Sequence, residues 1–83
     1  MELRYFQDKE GREVDFVVLE DRKPVMFVEC KWSDDAINPA LRYLKKRFPT
    51  VDTRQVSATG KKDFQSPEGI RVTPALTFLK ELV

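Results

Sequence analysis

Two apolar runs separated by a short polar break constrain the fold of this chain most. The runs are EVDFVVL at residues 13–19 and VMFVECKW at residues 25–32, and EDRKP lies between them. Runs rich in β-branched and aromatic residues and bounded by turn-forming residues are typical of the two strands of a hairpin. Both runs also carry charged residues, which a largely buried strand tolerates only when the charges are compensated.

The register of the hairpin determines where these charges meet, because successive side chains of a strand point to opposite faces. A three-residue loop at 21–23 would bring four charged side chains onto one face at one end of the hairpin, by pairing Asp15 with Glu29 and Glu13 with Lys31. A loop with an even number of residues would scatter them over both faces. Directly opposed β-carbons are about 4.5–5.5 Å apart, so Asp15 and Glu29 would be close enough to share one cation.

The chemistry available to these residues is narrowed by the absence of histidine. Ser-His-Asp and Cys-His mechanisms and the usual zinc sites are excluded. A metal would be held by oxygen ligands, which points to Mg²⁺ or Mn²⁺. Lys31 would supply one positive charge beside the two carboxylates, and a divalent ion would supply the rest. The alternative is a half-solvated rim on which the four charged residues form ordinary cross-strand ion pairs.

The rest of the chain predicts a small α/β domain with a mixed sheet of four or five strands and two helices. Further strands are predicted at 3–6, 51–57 and 70–72, with a turn at 7–12 and a polar loop at 59–69. Apolar residues at three- and four-residue steps predict an amphipathic helix over 37–48. Asn38 precedes Pro39 as the expected N-cap, and Pro49 ends the helix.

The C-terminal segment predicts a second helix, which Thr73 and Pro74 open and which includes Leu82. The length of 83 residues allows a single domain over 1–83. One cysteine, Cys30, cannot form an intramolecular disulfide, and no apolar run has the roughly 18 residues of a membrane span. A cytoplasmic protein without a membrane partner is therefore expected.

Charge is unevenly distributed along the chain although 15 Lys and Arg nearly balance 14 Asp and Glu. Residues 1–21 are mainly acidic and residues 42–62 are mainly basic. The basic residues are either the solvated side of the helix and loop or a surface that contacts nucleic-acid phosphates; they are Arg42, Lys45, Lys46, Arg47, Lys61 and Lys62. Trp32 and Tyr43 are interpreted as core or interface residues rather than as platforms for base stacking.

Asp15 followed, after the hairpin turn, by Glu29-Cys30-Lys31 resembles the PD-(D/E)XK motif of restriction-endonuclease-like nucleases. More closely, the segments DKEGREVDFVV, VECKWS and LKKRFP are similar to the domain of unknown function at the C-terminus of many bacterial and archaeal AAA+ ATPases, which belongs to that superfamily. The resemblance extends from Tyr5 to Val83. It implies a restriction-endonuclease-like sheet, of which the N-terminal helix of many relatives is missing here. Either the chain is a fragment of a longer protein, or a second copy supplies that layer.

The resemblance also implies roles for the charged residues. Asp15 and Glu29 would be the metal ligands, together with the backbone carbonyl of Cys30, whose thiol faces away. Lys31 would orient or help to deprotonate the attacking water, and Glu13 would be an auxiliary acidic group. The implied activity is Mg²⁺- or Mn²⁺-dependent hydrolysis of phosphodiester bonds in nucleic acid, most readily DNA.

Two alternatives to the nuclease remain open. The first is a catalytically inert, nuclease-derived module that binds DNA or a protein, such as an AAA+ ATPase. The second is a truncated relic whose exposed sheet drives self-association. Because two helices are too few to cover both faces of an apolar sheet, a homodimer is expected for the nuclease as well as for these alternatives.

Overall fold

The computed structural model describes residues 2–7, 9–11 and 13–81. The elements in chain order are β1 (Glu2–Gln7), β2 (Glu13–Glu20), β3 (Lys23–Lys31), α1 (Pro39–Arg47), β4 (Asp52–Ser57), β5 (Phe64–Gln65), β6 (Arg71–Pro74) and α2 (Ala75–Glu81). The α/β class and both helices are confirmed. The sheet has six strands rather than four or five, because the predicted polar loop contains the short strand β5. Asp8 and Arg12 of the predicted first turn, and Leu82 of the last helix, lie outside the described residues.

The sheet is mixed, with the strand order β1-β2-β3-β4-β6-β5. The pairs β1–β2, β2–β3 and β5–β6 are antiparallel, whereas β3–β4 and β4–β6 are parallel. Parallel strands need a crossover connection, and α1 forms the crossover between β3 and β4. The first turn of α1 therefore lies beside the C-terminal end of β3.

The β2–β3 turn has two residues, so the predicted three-residue loop was wrong. Glu20 pairs directly with Lys23, and the turn consists of Asp21 and Arg22 with φ angles of 52° and 65°. Positive φ at both central residues is the geometry of the tight hairpin turns whose twist matches that of the strands.

A β-bulge next to this turn restores the predicted register. Leu19 pairs with Pro24, but Val18 pairs with Met26, so Val25 is an extra residue on β3. A bulge is one of the few sheet positions that accommodate a nearby proline, because proline cannot donate a ladder hydrogen bond. The two-residue turn and the bulge together have the same effect on register as the expected three-residue loop.

A second irregularity changes the face on which Val14 lies. Arg4 pairs with Val17, whereas Phe6 pairs with Val14, so β2 contains one residue more than β1 in this interval. Val14 and Val17 consequently both belong to the core, although an unbroken strand would point them to opposite faces. An unbroken strand would place Val14 on the same face as Phe16, and this irregularity places it on the face of Val17 instead.

Helix α1 closes one face of the sheet. Asn38 is its N-cap, with Oδ1 accepting a hydrogen bond from the Ala40 amide at 2.9 Å, and Pro39 is its first residue, as predicted. Its buried side chains are those of Ala40, Leu41 and Leu44. They pack in one core with apolar residues of β2, β3 and neighbouring loops, namely Val14, Val17, Phe27, Val51 and Ile70.

Helix α2 lies on the opposite face and covers part of it. It begins at Ala75, because Thr73 and Pro74 belong to β6. Between α2 and the first three strands lies an open apolar groove of about 560 Å³, lined by Leu3, Phe16, Val18, Glu20, Val25, Met26, Val28, Cys30, Val56, Ala75, Phe78 and Leu79. Among the described residues, neither helix has the length and apolar character required to cross a membrane.

Candidate functional site

The predicted pair of carboxylates meets where β2 begins and β3 ends. One step beyond the Phe16–Val28 pair, the register places Asp15 opposite Glu29. The Asp15 amide donates a hydrogen bond to Glu29 Oε1 at 3.2 Å, and the Cys30 amide donates to Asp15 Oδ2 at 2.9 Å. Each carboxylate thus binds a backbone amide of the opposite strand, which fixes both side chains relative to the hairpin.

Glu29 is the buried member of the pair, with 7% of its surface exposed. Its Oε2 accepts a hydrogen bond from Asn38 Nδ2 at 2.5 Å and lies 3.5 Å from the ammonium Nζ of Lys31. A buried carboxylate is costly unless hydrogen bonds and an opposite charge compensate it. Lys31 supplies this charge by pairing with Glu29, and its predicted position opposite Glu13 stays a prediction.

Asn38 joins helix α1 to this site. Its side-chain amide donates to Glu29 and also to the Glu13 carbonyl at 3.3 Å, while its own backbone amide donates to Gln55 Oε1 at 2.9 Å. The Asn-Pro pair signals an N-cap in the sequence, but the contact with Glu29 depends on the crossover from β3 through α1. Sequence reasoning therefore identified the cap and missed the link to the carboxylates.

Gln55 is a second residue that sequence reasoning missed. It lies on β4 with 2% of its surface exposed, and its Nε2 donates to the carbonyls of Asp35 and Ala36, both at 3.2 Å. These bonds hold the segment that leads into Asn38. A polar residue inside a strand is the only sequence signal, and it does not reveal the partners.

An open pocket of about 360 Å³ borders the carboxylates; it is lined by Glu10, Gly11, Glu13, Asp15, Glu29, Asn38, Pro39 and Ala40. Glu13 is exposed at this pocket, whereas Asp15 is half-buried. Partial burial, a hydrogen bond with Glu13 and the negative charges of Glu13, Asp15 and Glu29 raise the pKa of the Tyr5 phenol on β1. Tyr5 is thus an additional proton-bearing group beside the pocket, which the sequence did not indicate.

Cys30 lies between the site and the groove. Its side chain lines the apolar groove on the α2 face, which confirms that the thiol faces away from the carboxylates. Burial and the negative charges of Asp15 and Glu29 raise the pKa of this thiol. The carboxylates therefore influence a group on the other face of the sheet.

The donors at the site suit Mg²⁺ or Mn²⁺ in chemistry, because carboxylate and carbonyl oxygens are the ligands that these ions prefer. A coordination shell is not pre-formed: over residues 2–7, 9–11 and 13–81, no group of three or more Asp, Glu or Cys side chains is arranged to hold a metal ion. Both oxygens of Glu29 accept hydrogen bonds from the protein. An ion at Oε2 would have to compete with Asn38.

The predicted phosphate-binding residues differ in their partners and exposure. Arg42 pairs with Glu68 at 2.8 Å, and Lys45 donates to the Val51 carbonyl at 3.0 Å. Lys46 lies on the exposed side of α1, and Lys61 and Lys62 are exposed in the loop after β4. Arg47, also exposed, donates to the Tyr43 hydroxyl at 3.2 Å.

The two aromatic residues interpreted as packing residues differ in environment. Tyr43 packs against the core, as predicted. Trp32 is 75% exposed, so it is not a core residue, and the interface part of its interpretation stays a prediction. It follows Lys31 directly, at the point where β3 ends beside the site.

Fold and site together define a mixed α/β domain in which an antiparallel hairpin presents two carboxylates and a lysine next to a helix N-terminus. The model of the family described as a domain of unknown function, DUF4143, matches residues 1–78, and the chain belongs to this family. Comparisons with curated proteins and with solved structures each gave no match. The nuclease activity, the ATPase association and the cytoplasmic location stay predictions.

Proposed function

We propose that this domain hydrolyses phosphodiester bonds of nucleic acid, with DNA as the first substrate to test, in a reaction dependent on Mg²⁺ or Mn²⁺. The observation that carries the proposal is the convergence of Asp15, Glu29 and Lys31. The Asp15 amide lies 3.2 Å from Glu29 Oε1, and the Lys31 ammonium lies 3.5 Å from Glu29 Oε2. Two carboxylates and a lysine supply the charges that this hydrolysis requires without a histidine.

Each charged residue of the site would have a distinct role. Asp15 and Glu29 would hold the ion, with the Cys30 carbonyl as a further ligand. When bound, a divalent ion offsets charge on the phosphate oxygens and lowers the pKa of its water. Lys31 places a positive charge beside the carboxylates, where it would orient the attacking water and stabilise negative charge on the phosphate. Glu13, exposed at the same pocket, is the auxiliary carboxylate.

Asn38 would act as a competitor for the ion at Glu29, because its amide occupies Oε2 at 2.5 Å. Asn38→Ser keeps a side-chain oxygen that can cap α1 but removes the amide donor. We therefore expect this variant to bind Mn²⁺ more tightly than the parent while keeping its helix.

Metal-dependent stabilisation is the primary test. Mn²⁺ at 100 times its dissociation constant should raise the free energy of unfolding by about 2.7 kcal/mol, since it binds only the folded state. Asp15→Asn should abolish this gain. Asp21→Asn is a matched control, because it makes the same chemical change in the turn at the other end of the hairpin, where asparagine tolerates the positive φ of 52°. Identical melting curves with and without Mn²⁺ would refute the proposal.

Cleavage is tested separately through Lys31. Lys31→Met keeps the aliphatic length and removes the ammonium, so cleavage of plasmid and single-stranded DNA should fall by about 10²-fold or more. Lys23→Met at the opposite end of β3 is the control. Unchanged cleavage in Lys31→Met would assign the activity to a contaminant or to another site.

A non-catalytic binding module is the second candidate. The observation that favours it is that protein donors already engage both oxygens of Glu29. In that case the hydrogen bonds around Glu29 only stabilise the fold. The domain then binds DNA without cleaving it, or binds an associated AAA+ ATPase. Retained nucleic-acid binding with no cleavage and no Mn²⁺ effect would select this candidate.

A further inference from the structure

We propose that the domain binds single-stranded nucleic acid along an aromatic-basic strip formed by Trp32, Lys61, Lys62 and Phe64. The strip begins at the residue after Lys31 and runs along the loop that follows β4. The claim that single strands are the substrate brought to the carboxylates rests on the proposed function. As a statement about binding, it stands on the surface itself.

Trp32 is the first element of the strip. Its carbonyl accepts hydrogen bonds from the Thr59 amide at 2.8 Å and from Thr59 Oγ1 at 2.6 Å. The Ala58 amide likewise donates to the Lys31 carbonyl at 2.8 Å. These bonds fix the backbone at the end of β3 against the loop, while the Trp32 residue remains 75% exposed. A rigid backbone that presents an exposed indole is suited to stacking against a planar ligand.

The lysine loop is held in place by Asp34. The carboxylate accepts hydrogen bonds from the Lys61 amide at 3.1 Å and the Lys62 amide at 3.2 Å. These backbone bonds lower the pKa of the Asp34 carboxyl. Gly60 permits the approach, because a β-carbon there would lie 2.3 Å from Asp34 Oδ1. The loop is thus ordered through its backbone, while Lys61 and Lys62 remain exposed.

Phe64 forms the far end of the strip. It is 44% exposed and borders an open pocket of about 760 Å³, whose lining carries the cations Lys62 and Arg42 and the carboxylates of Asp34, Asp35 and Glu68. Glu68 pairs with Arg42, and Asp34 accepts the hydrogen bonds of the lysine loop. Along the strip, the exposed groups are therefore one aromatic ring, two lysines and a second aromatic ring. Asp63, which interrupts it in the chain, is paired with Arg71.

This arrangement suits the bases and the phosphates that alternate along single-stranded nucleic acid. Aromatic rings stack on unpaired bases whatever their identity, and lysines neutralise the phosphates between them. Bases in a duplex are stacked on each other and do not offer their faces to a side chain. We therefore expect binding of single strands with little dependence on sequence.

Trp32 is the single tryptophan of the chain, so its fluorescence reports on stacking directly. Oligothymidine should quench this emission in EDTA, where cleavage that requires a metal is absent, and a duplex of the same length should quench it much less. With a labelled oligonucleotide, Trp32→Ala should weaken binding by about 10-fold, within the range of one lost base stack. Replacing Lys61 and Lys62 by Ala should reduce the slope of log K against log salt by about 1.4.

Matched controls lie elsewhere on the surface. Leu76→Ala removes an exposed apolar side chain, 72% exposed, from α2. Lys23→Ala removes a lysine at the other end of β3, about 26 Å from Lys31 at about 3.3 Å per residue. Both should bind like the parent, and the melting temperature of Trp32→Ala should match that of Leu76→Ala if the change is local.

The inference is overturned by absent quenching, by equal quenching with duplex, or by equal losses in the control variants. An unchanged affinity in Trp32→Ala would also overturn it and would leave Trp32 as a contact for a protein partner. Asp15→Asn separates the two proposals, since it should keep oligonucleotide binding in EDTA even if cleavage is never observed.

Discussion

The two faces of the sheet differ in how completely they are covered. On the α1 face, Val14 and Leu41 have no exposed surface, whereas on the α2 face Phe16 is 43% and Leu79 is 56% exposed. Helix α1 lies over β2, β3 and β4, while the shorter α2 lies over β4 and β6 and leaves the groove open. The closed face supplies the core, and it also places the polar site around Glu29 in surroundings where each polar group requires a partner.

The difference in coverage between the two faces would change most if a second copy of the chain covered the open face. The homodimer expected from the sequence stays a prediction, and the groove is the apolar surface that such a copy would bury. Light scattering at micromolar concentration should give twice the chain mass of 9.7 kDa. Phe16→Lys in the groove should restore the single-chain mass, and Leu76→Lys outside it should not. A single-chain mass for the parent would contradict the dimer.

Truncation of the closed core should have the next largest effect. Leu41→Ala should lower the free energy of unfolding by about 2–5 kcal/mol, because it leaves a cavity among well-packed neighbours. In the single chain, with no second copy over the groove, Leu79→Ala on the open face should cost about 0.5 kcal/mol or less, as for other surface substitutions. Urea denaturation measures both. Equal losses would show that the α2 face is as well packed as the α1 face.

Removal of the buried amide of Gln55 tests the polar part of the closed face. Gln55→Leu keeps the approximate volume but leaves the Asn38 amide and the carbonyls of Asp35 and Ala36 without these hydrogen bonds. We expect a loss of about 1–3 kcal/mol in urea denaturation. Gln65→Leu on exposed β5 is the control and should have little effect. A neutral Gln55→Leu would mean that water replaces the amide.

The smallest expected effect is on the pKa of the Cys30 thiol, which lies on the open face and is raised in part by Asp15 and Glu29. Its raised pKa means that the thiol stays protonated to higher pH than an ordinary cysteine, so less thiolate is present at pH values near the usual cysteine pKa. Alkylation should therefore be slow, and its pH profile should be displaced upward. Asp15→Asn removes one of the negative charges and should shift the profile downward, whereas Asp21→Asn should not. Superimposable profiles for all three proteins would show that burial alone sets the pKa.

The sequence was sufficient for the elements that depend on local signals. The spacing of apolar residues and the Asn38-Pro39 pair defined α1, and the two apolar runs defined β2 and β3. The opposition of Asp15 and Glu29 was also predicted, although from the wrong loop. A two-residue turn plus a bulge at Val25 has the same effect on register as a three-residue loop, and register alone determines which side chains meet.

Tertiary structure decided the features that depend on contacts distant in the chain. The extra residue in β2, which places the Val14 side chain in the core, arises from the pairing of β2 with β1. Asn38 reaches Glu29, and Gln55 reaches the segment before Asn38, only because the crossover brings α1 and β4 together. The exposure of Trp32 is of the same kind, since an indole is buried or exposed according to what packs over it. Composition and spacing describe the chain within a few residues, whereas burial and hydrogen-bond partners are properties of neighbours that only folding supplies.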